Sequence, residues 1–281
     1  MKSRVPEAHP SQYANMTKPF RHISTVTAFC LASIFVASTQ AVSLTPAHNQ
    51  KFDSYVHEVE KSIQARAVQG RVSGFPSSPE GTDSVQVQSP AKDNPNDIGG
   101  AYIHDWLGRA FIPGGKASQL LTVLKDYNRH KNYYAPEVLD SKLVATDGED
   151  LLSFLRIRRK KVLTVTLVSE YRNRFVDVGP GAGYSMSRST SIREVENAEE
   201  ANERELPHGE GNGFLWRLNA YWSWQETLTG LWVECRAVSL SRSTPIGLGW
   251  AVNPIVRSLP RESLESTIAN TRKAVIALRS R

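Results

Sequence analysis

Cysteine is nearly absent from this chain, and its placement excludes a good deal. Cys30 falls in an N-terminal leader and Cys235 stands alone after it, so no disulfide can brace the remainder. On an apolar strand face a solitary thiol reads as a small buried residue. His48, His57, His104, His130 and His208 are scattered, and none pairs with another His or a Cys at ligand spacing, which leaves no metal site. Gly179-Pro180-Gly181-Ala182-Gly183 and Gly209-Glu210-Gly211-Asn212-Gly213 imitate phosphate loops, but each leads into a strand pattern rather than a helix, so both read as turns and no cofactor is implied. Gly183-Tyr184-Ser185-Met186-Ser187 lacks the last glycine of a nucleophile elbow. No catalytic residue can be named from such fragments.

Long apolar runs are also missing. Thr244 to Val256 is too short and too interrupted by Pro and Gly to span a membrane. Near the start, Lys18 and Arg21 precede a mostly uncharged run, Ile23 to Val36, and Thr39-Gln40-Ala41 offers a small-residue cleavage site. Residues 1–41 therefore read as a secretory signal peptide, with Met16 the expected start, and the mature chain is expected to be secreted or periplasmic. Cleavage removes Lys2, Arg4, Lys18 and Arg21 against Glu7, which halves the formal net charge of +6. An ordinary surface charge remains, and nucleic acid is not an expected partner.

What is present begins with a helical pattern. Phe52, Tyr55, Val56, Val59 and Ile63 fall on one side of Lys51 to Val68, giving an N-terminal amphipathic helix within 42–70. Residues 71–98 are rich in Ser, Pro, Gly, Asp and Gln and read as a flexible linker. An ordered domain follows over 99–281. It opens with a strand, Ala101 to Ile112, and a helix marked by Leu120, Leu121, Val123, Leu124 and Tyr127. Strands are then predicted over 138–146, 151–158, 162–178, 183–195, 213–227 and 231–242, with Asp147-Gly148 and Arg159-Lys160 as tight turns. The acidic stretch Asn197 to Asn212 reads as solvated rim. The basic run Arg156, Arg158, Arg159, Lys160 and Lys161 crosses a hairpin tip that could make transient contact with an anionic membrane surface.

The last third is the most informative. Phe214, Trp216, Leu218, Ala220, Trp222 and Trp224 alternate with Arg217, Asn219, Tyr221, Ser223 and Gln225, so one strand face is apolar and the other polar. Pairing Glu226 with Leu231 puts the apolar sets of both strands, including Val233 and Cys235, on a shared face. After the bent segment Ile246 to Val256, Pro260 is expected in the first turn of a helix whose Leu264, Ile268, Thr271, Val275 and Leu278 form one stripe. Two strands and a helix that buries a stripe against them make the closing half of a helix grip. The class is α+β: a curved antiparallel β-sheet wrapped around a long C-terminal α-helix.

Asp126-Tyr127-Asn128-Arg129-His130, followed by Tyr133-Tyr134-Ala135-Pro136-Glu137-Val138, resembles the post-helix segment of START-like (SRPBCC, polyketide cyclase-like) domains. Gly213 to Trp222, and Ile246 to Trp250 through Pro260 to Leu264, are similar to secreted, uncharacterised bacterial members. The resemblance covers about Gly99 to Leu278. It implies a cavity between sheet and helix that takes lipids, polyketides or other apolar or amphipathic molecules, and it carries no shared catalytic residue. The expected lining is Trp216, Leu218, Trp222, Trp224 and Val233 of the strands, Ile246 and Trp250 of the cover, and Leu264 and Ile268 of the helix. Arg217, Tyr221, Glu234 and Arg236 could orient a ligand head group, and His104, on a face with Trp106, could act as acid or base at pocket depth. A cyclase or aromatase on the same fold would need such groups buried in the pocket. A protein-interaction module would lack a cavity and use Phe52 to Ile63 for docking.

Overall fold

The computed structural model describes residues 43–69, 84–160, 164–243 and 249–279, and for 249–257 only the backbone. The expected signal peptide and Ile246 lie outside the described residues, as does the side chain of Trp250.

Helix α1 (Pro46–Val68) starts where its sequence provides a cap. Thr45 Oγ1 accepts from His48 N at 3.2 Å while His48 Nδ1 accepts from Thr45 N at 3.3 Å, a reciprocal box with His in the usual Glu position. Because Nδ1 accepts, Nε2 is the donor, and it reaches Gly99 O at 2.9 Å. The stretch read as a linker is partly strand: β1 (Gln86–Gln88) and β2 (Asn96–Asp97) both pair with β3 (Ala101–Pro113). Helix α2 (Ala117–Lys125), a 3-10 turn (Tyr127–Arg129) and the short α3 (His130–Tyr133) lead into β4 (Val138–Asp147). Strands β5 (Asp150–Lys160), β6 (Thr164–Gly179) and β7 (Ala182–Glu196) follow as a meander, then the two-residue β8 (Arg204–Glu205), β9 (Arg217–Glu226), β10 (Gly230–Arg242) and helix α4 (Gly249–Leu278).

All pairs are antiparallel, in the order β1-β3-β10-β9-β7-β6-β5-β4. Glu226 stands opposite Leu231, as the apolar pattern requires. Helix α4 packs chiefly on β1, β3 and β10 and against α2 and α3. Its stripe of Leu264, Ile268, Thr271 and Val275 is buried. The other face of the central strands is covered by α1 through Phe52, Val56, Val59 and Ile63. The sheet is therefore buried on both sides at its centre.

Three expectations change. Helix α4 begins at Gly249 rather than near Pro260, so most of the segment read as a bent cover is helix; Pro260 lies inside it and leaves the Val256 carbonyl without its usual donor. Strand β9 starts at Arg217, because the chain before it is gathered instead by the Glu194 carboxylate, which accepts from Asn212 N at 2.9 Å and Phe214 N at 3.0 Å. The third is one of degree: the acidic stretch is exposed rim, as expected, but is tied down, since Glu203 holds Arg156 in two bonds of 2.8 and 2.9 Å, and Glu199 and Glu205 pair with Arg158 and Arg193.

Helix α4 crosses β3 closest at Gly108, where an added Cβ would collide with Ile268 Cδ1 and sit 3.3 Å from Leu264 Cγ. Gly108→Val is expected to lower the unfolding free energy by about 1–3 kcal/mol, as overpacking of a filled core does, in urea denaturation. An unchanged midpoint would mean that α4 does not lie against β3 there.

Candidate functional site

Side chains on the central strands are sorted by charge. The face under α1 holds the ions. Asp105, 1% exposed, accepts from Arg236 Nε at 2.9 Å, Arg236 Nη2 at 2.5 Å and the Tyr55 hydroxyl at 2.6 Å. Glu60 of α1 accepts from Arg188 at 2.6 and 2.7 Å and from Tyr221 OH at 3.0 Å, and Asn219 Nδ2 donates to that same phenol. Arg109 reaches Glu234 at 2.6 Å, and Arg217 lies over the Phe52 ring with Asn49 and Asp53 as partners. Burial, followed by the neighbouring carboxylate, drives the Tyr55 and Tyr221 hydroxyls well above the usual phenol range, so both remain donors.

The face under α4 has two parts. Toward the C-terminal end of α4, Trp222, Trp224, Leu231, Val233, Leu264 and Ile268 pack into one filled cluster. The Trp224 ring lies over Gly183, where a Cβ would sit 2.5 Å from Cζ2. One step along the strands the register aligns Trp106, Ala237, Ala220, Ser187, Asn173 and Leu151 in a single row across β3, β10, β9, β7, β6 and β5. In this row only Asn173 is buried; the other five are half-buried, although each points to the side that α4 covers. Leu218, Leu155 and Ile157 on the same face are half-buried too. Trp106, Ala237 and Ala220 of this row pack against the edge of that cluster, with small residues at the row's middle.

Several hydroxyls lie on the same side of the sheet. Asn173 Nδ2 donates to Leu151 O at 2.8 Å and Ser153 Oγ at 2.9 Å, while its Oδ1 accepts the Ser187 hydroxyl. Thr271 Oγ1 donates to Thr267 O at 2.8 Å, so it accepts from Tyr134 OH, 3.0 Å away. Burial pushes the Tyr134 phenol up to about 12, which keeps its proton in place. At the rim, Arg159 is paired with Glu137, whose carboxyl is nonetheless raised by burial. Behind it, His130 donates Nε2–H to Val123 O at 3.1 Å, and burial pushes its imidazole down to about 4.

Of the residues expected to line a pocket, Trp222, Trp224, Val233, Leu264 and Ile268 come together on the α4 side, with Leu218 half-buried beside them. Trp216 does not: it lies in the α1 cluster, stacked on His48 with ring centroids 5.9 Å apart, because it precedes the strand and escapes its alternation. Arg217, Tyr221, Glu234 and Arg236 are on the α1 side, so the strand register corrects their assignment to a head-group site. His104 is on the α4 side, 2% exposed, with Nε2 3.1 Å from Ser241 Oγ. Sequence reasoning missed Ser187, Asn173 and Tyr134, although Ser185, Ser187 and Ser189 at every second position of β7 are a period-two signal for one hydroxyl-bearing face. Among the described residues no group of three or more His, Cys, Asp or Glu is placed to hold a metal, and no helix is long and apolar enough to cross a membrane.

An antiparallel sheet with one long helix laid over β3 and β10 decides the fold class. It is a helix grip of the α+β class. No protein-family model and no curated protein matches the chain. Among solved structures, a Thermus thermophilus protein is similar at 17% identity and a TM-score of 0.44, over 61% of this chain and 97% of that one. A STAR-related lipid transfer protein from Xanthomonas axonopodis has 17% identity and a TM-score of 0.42, over 69% and 99%. The Zhui aromatase/cyclase from a Streptomyces species has 10% identity and a TM-score of 0.41, over 64% and 94%.

The buried polar groups make stability depend on pH and on pairing. An unfolded chain protonates His130 near pH 6.5 while the folded chain resists until about 4, so its contribution to stability is full above pH 6.5 and declines as pH falls through that window. The native protein should lose about 2 kcal/mol between pH 7 and pH 5 that His130→Gln does not lose in urea titrations. Equal losses would assign the effect to other groups. Asp105→Ala, which strands the Arg236 guanidinium, should cost about 3 kcal/mol or more, and adding Arg236→Met should recover most of it. A double variant no more stable than the single one would refute that origin.

Proposed function

We propose that this chain binds an apolar or amphipathic small molecule in a trough between the α4 face of the sheet and helix α4. The observation that carries this reading is the half-buried row Trp106, Ala237, Ala220, Ser187 and Leu151 on a face that the fold otherwise covers. A sheet with no such role would fill that row as it fills the neighbouring one, where Gly108, Cys235, Trp222 and Ser185 are all buried. Apolar contact alone is worth about 0.8 kcal/mol per buried methylene, so such a trough can hold a lipid-like chain without strong polar contacts. The leader suggests that the protein works as a secreted or periplasmic carrier or sensor. Docking another protein through Phe52 to Ile63 is a weaker reading, since that stripe is already covered by the sheet. A cyclase-type reading loses Arg217, Tyr221 and Glu234, which lie on the far face.

The test is native mass spectrometry of protein purified after secretion, with organic extraction and identification of whatever co-purifies. Ala237→Phe or Ala220→Phe should abolish the bound species and leave the circular dichroism spectrum unchanged. If the wild-type protein carries nothing and takes up neither Nile red nor any of a panel of lipids and polyketides, the reading is wrong.

A further inference from the structure

At the end of the sheet where β9 turns into β10, three loops and a helix terminus are latched together. Gly114 N in the β3–α2 loop donates to Thr229 O at 2.7 Å, and Glu226 N donates to Gly181 O in the β6–β7 turn at 2.8 Å. Glu226 also accepts from Lys116 Nζ at 2.8 Å and from Ala117 N at 3.0 Å, and Arg279, one residue past α4, donates to Pro113 O. These bonds hold the rim in one shape.

Leu228 stands at the apex of that rim, the most exposed of the large apolar side chains described. The turn does not need it. Thr227 N donates to Gly230 O at 2.7 Å, the Thr227 hydroxyl donates to the same oxygen at 3.0 Å, and Gly230 N reaches that hydroxyl at 3.2 Å, so the bonds that close the hairpin come from neighbouring residues. Polar residues and glycine are the ordinary occupants of such a turn.

Around the apex the charge is mostly positive. Lys273 and Arg279 are exposed, with no acidic partner among the described residues, and Ile276 between them is exposed as well. Against these and Lys116 stand Glu226, already held by Lys116, and the exposed Asp177. On the β4–β5 turn, Asp147, Glu149 and Asp150 are met by Arg172 and Arg174. The basic hairpin at the opposite end of the sheet has less charge to spare, since Arg156, Arg158 and Arg159 are paired with Glu203, Glu199 and Glu137.

One leucine ringed by cations is too small for a specific protein interface, which needs about 1,000 Å² in all. A bilayer surface asks for less: an apolar apex that enters the acyl boundary, and cations that stay among anionic head groups. We propose that this end of the sheet docks on an anionic lipid bilayer, with Leu228 inserted and Lys273 and Arg279 at the phosphates. The proposal is independent of the trough, since none of these residues belongs to it.

The test is co-sedimentation of the secreted protein with vesicles of phosphatidylcholine alone, or of phosphatidylcholine mixed equally with phosphatidylglycerol. Binding to the mixed vesicles should be at least tenfold tighter. It should fall to the level of the neutral ones in about 1 M salt, where screening sets in beyond about 3 Å. Leu228→Ser should weaken binding several-fold and Leu228→Trp should strengthen it, each with an unchanged urea midpoint because the side chain is fully exposed. Lys273→Glu combined with Arg279→Glu should remove the preference for anionic vesicles. Absence of binding, equal binding to both vesicles, or binding indifferent to Leu228 overturns the proposal. So does Leu228-dependent self-association in analytical ultracentrifugation without vesicles, which would make this apex a contact between copies of the chain.

Discussion

The Arg236–Asp105 pair is the interaction on which the rest of the arrangement turns. It joins adjacent central strands, β10 and β3, and the Tyr55 hydroxyl from α1 completes the carboxylate's shell. A bidentate guanidinium with a third donor is the geometry in which a buried ion pair can offset the loss of water. With that pair satisfied, α1 can lie on what would otherwise be the solvated side of an antiparallel sheet. The Glu60–Arg188–Tyr221 cluster repeats the solution farther along the same helix. Both clusters are costly to break from one side only. They fix the register of the helix on the sheet more firmly than the aliphatic stripe could alone.

Placing the ions under α1 leaves the α4 side free of them at its centre. The same alternation that puts Arg236 and Glu234 on one face puts Cys235 and Ala237 on the other. Under the C-terminal half of α4 the apolar side is packed solid by Trp222, Trp224 and Ile268. Along the row of Ala237, Ala220 and Ser187 the side chains are only half-buried. A fully buried set thus borders a half-buried one on the same strands.

Much of this is legible in the residues. The long strands of the meander end within two residues of where alternation and turn chemistry put them, and the β9–β10 register follows from requiring their apolar sets to coincide. What alternation cannot tell is which face meets which helix when both are covered. That is why Arg217, Tyr221, Glu234 and Arg236, polar and regularly spaced, pass for a head-group site in the sequence. Trp216 is misplaced when the strand rule is carried one residue past the strand. The start of α4 is hidden by Pro254 and Pro260, which argue locally against a helix that the sheet supports as a whole. The half-buried row is hardest to see, since a small residue in a strand announces nothing until its neighbours across the sheet are known.

The row of small residues at the centre of the α4 face also bears on how such a protein can change. Ala220 and Ala237 face each other across β9 and β10, half-buried and packed against the edge of the cluster beside them. Under the binding mode proposed above, exchanging either for Val, Leu or Phe would shorten or split the site stepwise, in the way a set of spacers alters the capacity of a mould. The size of the proposed site would then be set by two half-buried positions at the edge of the core.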